Sequence, residues 1–161
     1  MSIKKSTYIS IAVVLAVLVG GLALMNYNFS KGPVDSALSG ASAIVYRAPN
    51  CGCCGNYIGY LERRGITVED KIVSDIEKVK SQYEIPEDML SCHTTVIGGY
   101  VVEGHIPLEA VEKLLAEKPD IRGIAMPGMP SGSPGMPGGK RGPFEISALR
   151  QDGGTELFMS L

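Results

Sequence analysis

The chain has 161 residues, with 15 Lys plus Arg set against 17 Asp plus Glu, for a formal net charge of −2. That length suits one modest domain with appendages, and the lack of a basic excess excludes nucleic acid as an expected partner. All four cysteines fall in two places, Cys51-Gly52-Cys53-Cys54 and Cys92-His93, which leaves none for a disulfide framework elsewhere.

Residues 8–25 (YISIAVVLAVLVGGLALM) follow Lys4 and Lys5 and are apolar apart from Ser10 and the Gly20-Gly21 pair. The stretch is near the lower limit for spanning a bilayer, about 17–25 residues. It is longer than the apolar core of a cleaved signal, about 7–15 residues. Residues 1–25 therefore read as a membrane anchor or signal segment. An uncleaved anchor in the inner membrane is favoured over secretion after cleavage behind Ala23. In both cases the basic residues stay cytoplasmic and residues 44–161 are expected to be exported. Residues 26–42 read as a flexible linker and 43–161 as the domain. Export bears on the thiols, because an oxidising compartment turns idle cysteines into disulfides. Thiols kept functional there hold metal or cycle through oxidation.

Residues 43–47 (AIVYR) form a short apolar strand running into the cysteine cluster. A helix is predicted over 56–64, closed by Gly65 as a left-handed terminator. Residues 66–68 and 72–73 suggest a second strand. Ser74-Asp75-Ile76-Glu77 is a capping box opening a helix with Ile76, Val79 and Tyr83 on one face. Residues 94–97 and 100–103, joined by Gly98-Gly99, predict a β-hairpin. Pro107 starts a helix that ends before Pro119, with Leu108, Val111, Leu114 and Leu115 as its apolar stripe. Residues 123–142 (GIAMPGMPSGSPGMPGGKRG) are so rich in Gly, Pro and Met that a long loop without strand or helix is expected, and such loops in small domains are usually functional or disordered. Residues 144–149 and 155–159 read as two strands turned at Asp152-Gly153-Gly154, an edge hairpin added to the sheet. The order strand, helix, strand, helix, strand, strand, helix is that of an α/β, thioredoxin-like sandwich with a cysteine motif after its first strand.

At a helix entrance Cys51, Cys53 and Cys54 face unsatisfied N–H groups and partial positive charge, which favour thiolate. In this topology Cys92 lies beside the first-strand loop and completes a four-sulfur group. Thiolates select soft ions, Cu(I) best, with zinc the main competitor through a Cys3His set; ferredoxin-type spacings are absent. His93, next to Cys92, is a candidate ligand or a proton-responsive neighbour. His105 is a weaker candidate, since it also suits a helix start. Met126, Met129 and Met136 are candidate thioether ligands, or apolar plugs that pack the loop on the domain. Cys51 and Cys54 are also formally a C-x-x-C pair, so a thiol–disulfide oxidoreductase is the alternative. Against it stand the third thiol and Ser91-Cys92-His93-Thr94 in the place where thioredoxins carry a cis-proline.

Four motifs together bear a specific resemblance. They are Cys51-Gly52-Cys53-Cys54 after a short strand, Ser91-Cys92-His93-Thr94, Val102-Glu103-Gly104-His105-Ile106-Pro107, and the run from Gly128 to Met136 (GMPSGSPGM). In that order they resemble the CopG family of periplasmic copper-resistance proteins, over most of the exported region. The resemblance implies a thioredoxin-like fold in which Cys51, Cys53, Cys54 and Cys92 bind a multinuclear Cu(I) cluster, with a role in copper resistance. Expected partners are copper ions and a copper pump, chaperone or oxidase. Sequestration, transfer and redox cycling of copper all fit this reading.

Overall fold

The computed structural model describes Leu38 and residues 40–161. The expected anchor or signal segment over 1–25, and nearly all of the linker over 26–42, lie outside the described residues. Among the described residues no helix is long and apolar enough to cross a membrane.

The elements follow one another as β1 (Ser42–Arg47), α1 (Gly52–Glu62), β2 (Thr67–Ile72), α2 (Ile76–Gln82), a 3-10 turn (Glu87–Met89), β3 (His93–Ile97), β4 (Tyr100–Glu103), α3 (Leu108–Glu117), β5 (Ile121–Ala125), β6 (Glu145–Arg150) and β7 (Thr155–Ser160). The result is a mixed α/β fold with one seven-stranded sheet in the order β2-β1-β3-β4-β5-β6-β7. β1 runs parallel to β2, antiparallel to β3, and β3 runs antiparallel to β4. β4 and β5 are parallel, as the intervening α3 crossover requires. The last hairpin extends the sheet as expected.

Period-two alternation sorts the strand residues onto two faces. Val45, Ile97, Val102 and Ile124 point to one face and pack with Tyr57, Ile58 and Leu61 of α1 and Leu108, Val111 and Leu114 of α3 in a single apolar cluster. The opposite face receives α2, which touches β1 and β3.

Several sequence expectations need correction. α1 starts at Gly52, four residues before the predicted start at 56, with Cys51 as its N-cap residue, so Cys53 and Cys54 lie inside its first turn. Gly65 does take a left-handed conformation, φ +82°, just beyond the helix end. The cap of α2 is Asp75 and not Ser74: its carboxylate accepts from the Lys78 N–H at 3.1 Å. The predicted loop over 123–142 loses its first three residues to β5. Gly123 belongs there because β5 approaches β4 so closely that a Cβ at this position would lie 1.9 Å from the Val101 carbonyl oxygen.

Residues 126–144 are irregular but tied down internally. Ser133 Oγ donates to the Pro130 carbonyl (2.7 Å), Met136 N–H to Ser133 O (2.9 Å), Gly132 N–H to Pro137 O (3.2 Å) and Ser131 Oγ to Gly139 O (3.1 Å).

Candidate metal centre

Three chain segments converge at one end of the sheet. β1 delivers Cys51, Cys53 and Cys54 at the N-terminus of α1. The approach to β3 delivers Cys92 and His93. The turn between β4 and α3 delivers His105. Register explains the first convergence, since β1 and β3 are paired so that Arg47 lies opposite His93, and Cys51 and Cys92 follow and precede these residues closely.

The four sulfurs lie within 4.8 Å of one another. Cys51 and Cys54 are joined in a disulfide, with their Cα atoms 5.3 Å apart, while Cys53 and Cys92 are free. Cys53 Sγ is 3.5 Å from Cys51 Sγ and 3.8 Å from Cys92 Sγ, and Cys54 Sγ is 3.6 Å from Cys92 Sγ. Cys92 thus touches both halves of the cluster. Burial, then the neighbouring charge and hydrogen bond of Cys53, push its thiol up to about 12. Cys92 lies outside the helix terminus, and its environment holds it protonated.

Cys92 also belongs to a second group. With His93 and His105 it offers three donor atoms within 4.8 Å of one another. His105 Nε2 lies 3.0 Å from Cys92 Sγ and His93 Nδ1 lies 3.4 Å from it. His105 Nδ1 is 2.6 Å from the Pro134 carbonyl, which can only accept, so the ring proton sits on Nδ1 and Nε2 presents a lone pair to the sulfur. A carbonyl fixing the tautomer of a ligating histidine is the usual outer support of a metal site. Both rings are fully buried. Burial, followed by the charges of His105 and Lys80, lowers the His93 pKa to about 3. Burial also lowers that of His105, opposed by its bond to Pro134. Both imidazoles are therefore neutral at neutral pH, the form that ligates. Among the described residues His93 Nε2 has no hydrogen-bond partner.

Tyr57 of α1 organises the histidines. Its ring lies 4.6 Å from His93 and 5.6 Å from His105, centroid to centroid, and its hydroxyl donates to Ile106 O at 3.0 Å. The irregular segment closes over the α1 entrance. Asn56 Nδ2 donates to Gly135 O (3.3 Å), and Gly135 comes so near the helix that a Cβ there would lie 2.8 Å from Tyr57 N.

The methionines divide. Met126 is buried in the apolar cluster, Met129 is half exposed, and Met136 lies in a groove beside Tyr60 of α1 and Arg63 at its C-terminal cap. Sequence reasoning missed Pro134 as a support. It also missed a buried ion pair between Lys80 of α2 and Glu103 of β4, whose carboxylate accepts from the N–H of Ser91, the residue before Cys92. A lysine one residue from Val79 on the apolar face of α2 was the available signal.

A sulfur-rich donor set with adjoining neutral imidazoles, held at one end of a mixed α/β sheet, defines a metal-binding or thiol-redox protein. Residues 89–136 match the family model described as a protein of unknown function, DUF411. Comparison with curated proteins gave no match. Two solved structures, copper resistance protein CopG in form 2 and form 1, are each 40% identical to the chain, with TM-scores of 0.71 and 0.70. The similarity covers 76% of this chain and 99% and 98% of theirs. The chain belongs to the CopG copper resistance protein family.

Proposed function

We propose that this chain handles copper in copper resistance, holding Cu(I) as a multinuclear thiolate cluster on Cys51, Cys53, Cys54 and Cys92, on a thioredoxin-like core. The observation that carries the reading is the convergence of four sulfurs with contacts of 3.5–3.8 Å across two chain segments. Metal–sulfur bonds of about 2.3 Å at tetrahedral angles hold sulfurs about 3.8 Å apart, so the spacing fits shared ions. Soft thiolates select Cu(I), and membership of the CopG family supports copper over zinc. Reduction of the Cys51–Cys54 disulfide by an external dithiol, which is itself oxidised to a disulfide, gives the third and fourth thiols, and these release their protons on binding copper. His105 and His93 extend the set with Nε2 and Nδ1 facing Cys92. Met126 is read as a core plug, whereas Met129 and Met136 remain outer thioethers for copper arriving at the site.

The β2-β1-β3-β4 portion of the sheet, with α1 leading from the cysteine run, supports the thioredoxin-like assignment. On this reading residues 8–25 anchor the chain in the inner membrane and the domain works in the periplasm. Sequestration, transfer to a pump, chaperone or oxidase, and redox cycling all use this one site.

Anaerobic Cu(I) titration of the reduced full chain tests the reading. It predicts several copper ions per chain and a marked loss of stoichiometry in Cys92→Ser. A single tightly bound zinc after metal-replete reducing purification, with no copper uptake, defeats it.

The Cys51–Cys54 disulfide favours a second reading, a thiol–disulfide oxidoreductase. One thiolate of the reduced pair attacks a substrate disulfide, and the other resolves the mixed disulfide, transferring two electrons. No cis peptide bond occurs among the described residues, and Ser91-Cys92 leads into β3 where a thioredoxin carries its cis-proline. Insulin reduction by a copper-chelated chain supports this reading, and its absence removes it.

A further inference from the structure

Next to the metal centre, on the α2 face of the sheet, lies a buried polar group built on Lys80, Thr94 and Glu103. Lys80 is 2% exposed and Glu103 and Thr94 are fully buried. Glu103 Oε1 accepts from Lys80 Nζ and from the backbone N–H of Ser91, the latter at 2.7 Å. Glu103 Oε2 accepts from Thr94 Oγ1 at 2.7 Å, and Lys80 Nζ reaches the same hydroxyl at 3.3 Å. The two residues grasped by the carboxylate, Ser91 and Thr94, flank Cys92 and His93.

We propose that Glu103 is a positioning residue for copper: its carboxylate fixes the Ser91–Thr94 corner so that Cys92 and His93 present their donor atoms to the cluster, while Lys80 supplies the charge that lets the carboxylate be buried. This rests on the copper reading above. The corner is held from the other side as well, since Ser91 Oγ donates to the Gly128 carbonyl and Gly128 N–H donates to Leu90 O at 3.0 Å. With Ser91 held through its N–H on one side and its hydroxyl on the other, Cys92 has little freedom to swing away from Cys53 and Cys54. An uncharged residue accepting the same hydrogen bonds would serve the corner equally well. The ion pair as such is not what the site needs, because a buried pair is often replaceable by neutral groups without loss of stability.

The test separates these roles with two double variants of the full chain. Lys80→Met with Glu103→Gln keeps an amide oxygen for Ser91 N–H and removes both charges. Lys80→Met with Glu103→Leu removes the acceptor as well. Each is reduced, titrated anaerobically with Cu(I) against a competing chelator, and melted without metal. Loss of outer support typically weakens a metal site about 10–100-fold. We expect that loss in the leucine variant, with near-parental affinity in the glutamine variant. Equal affinities in parent and both folded variants overturn the proposal. If the leucine variant does not fold, Thr94→Val in the parental chain takes its place, because it frees one oxygen of Glu103 and leaves the ion pair. Weaker copper retention then supports the positioning role, and unchanged retention refutes it. A parental chain that takes up no copper defeats the copper reading itself, a result distinct from any difference between variants.

Discussion

Cys92 is the residue on which the two donor groups meet, since its sulfur lies 3.6 Å from Cys54 Sγ and 3.0 Å from His105 Nε2. Burial first, then the charge of Cys53, raises its pKa to about 12, so at neutral pH it is a thiol and an incoming ion must displace its proton. Metal and proton compete, so copper affinity rises with pH. Each displaced proton contributes a slope of about tenfold per pH unit below the group's pKa. Between pH 6 and 8 the slope of log affinity should fall by about one in Cys92→Ser relative to the parent, measured by chelator competition. An unchanged slope would mean that Cys92 gives up no proton and is no ligand. The same raised pKa acts on the metal-free fold with the opposite sense: its stabilising contribution is complete below the unfolded-state thiol pKa and is lost as pH climbs towards about 12.

At the level of elements, the segment 126–144 and helix α1 act as one unit. Gly135 sits at φ +83° with its α-carbon against the helix backbone, where a Cβ would lie 2.8 Å from Tyr57 N and 2.9 Å from Cys53 O. Gly135→Ala therefore pays the left-handed cost of roughly 1–2 kcal/mol and pushes the segment off α1, withdrawing Pro134 O from His105. We expect a lower melting temperature and new proteolytic cleavage within 126–144. Gly139→Ala, where nothing lies within 4 Å of the new Cβ, should change neither; identical behaviour of the two variants would remove the argument. The hairpin of β3 and β4 and the start of α3 were legible in the sequence because Gly98-Gly99 and Pro107 are local signals. The start of α1 was not, since Cys-Gly-Cys-Cys-Gly has poor helix propensity and tertiary context decides the matter. Gly123 was read as a breaker, although close approach of two strands demands it. The pairing of Lys80 with Glu103 was hidden for another reason: α2 packing and the Thr94–Glu103 register bring them together across 23 residues.

Across the whole molecule, the sheet ladder gathers the site from segments far apart in sequence. Pairing of Arg47 with His93 sets the two cysteine segments side by side, and pairing of Thr94 with Glu103 carries the chain on to His105. The cysteine cluster was legible as chemistry before any fold was known, but its membership of one site with His105 depends on these registers. The same geometry makes the disulfide and the proposed metal cluster mutually exclusive uses of the sulfurs. With Cys51 bonded to Cys54, only Cys53 and Cys92 remain free thiols, beside His93 and His105. Two of four thiolates are then withdrawn, and bridging of several ions loses half its sulfur supply. The oxidised full chain should bind clearly fewer Cu(I) ions than the reduced chain when both are titrated without air. Thiol alkylation under denaturing conditions, followed by mass measurement, should count four thiols in the reduced metal-free chain and two in the oxidised one. Copper loaded before exposure to a mild oxidant should delay disulfide formation, because thiolates committed to metal are poor partners for oxidation. Equal copper capacity in the two states would show that Cys51 and Cys54 are not ligands, and would shift the site to Cys92, Cys53 and the histidines alone.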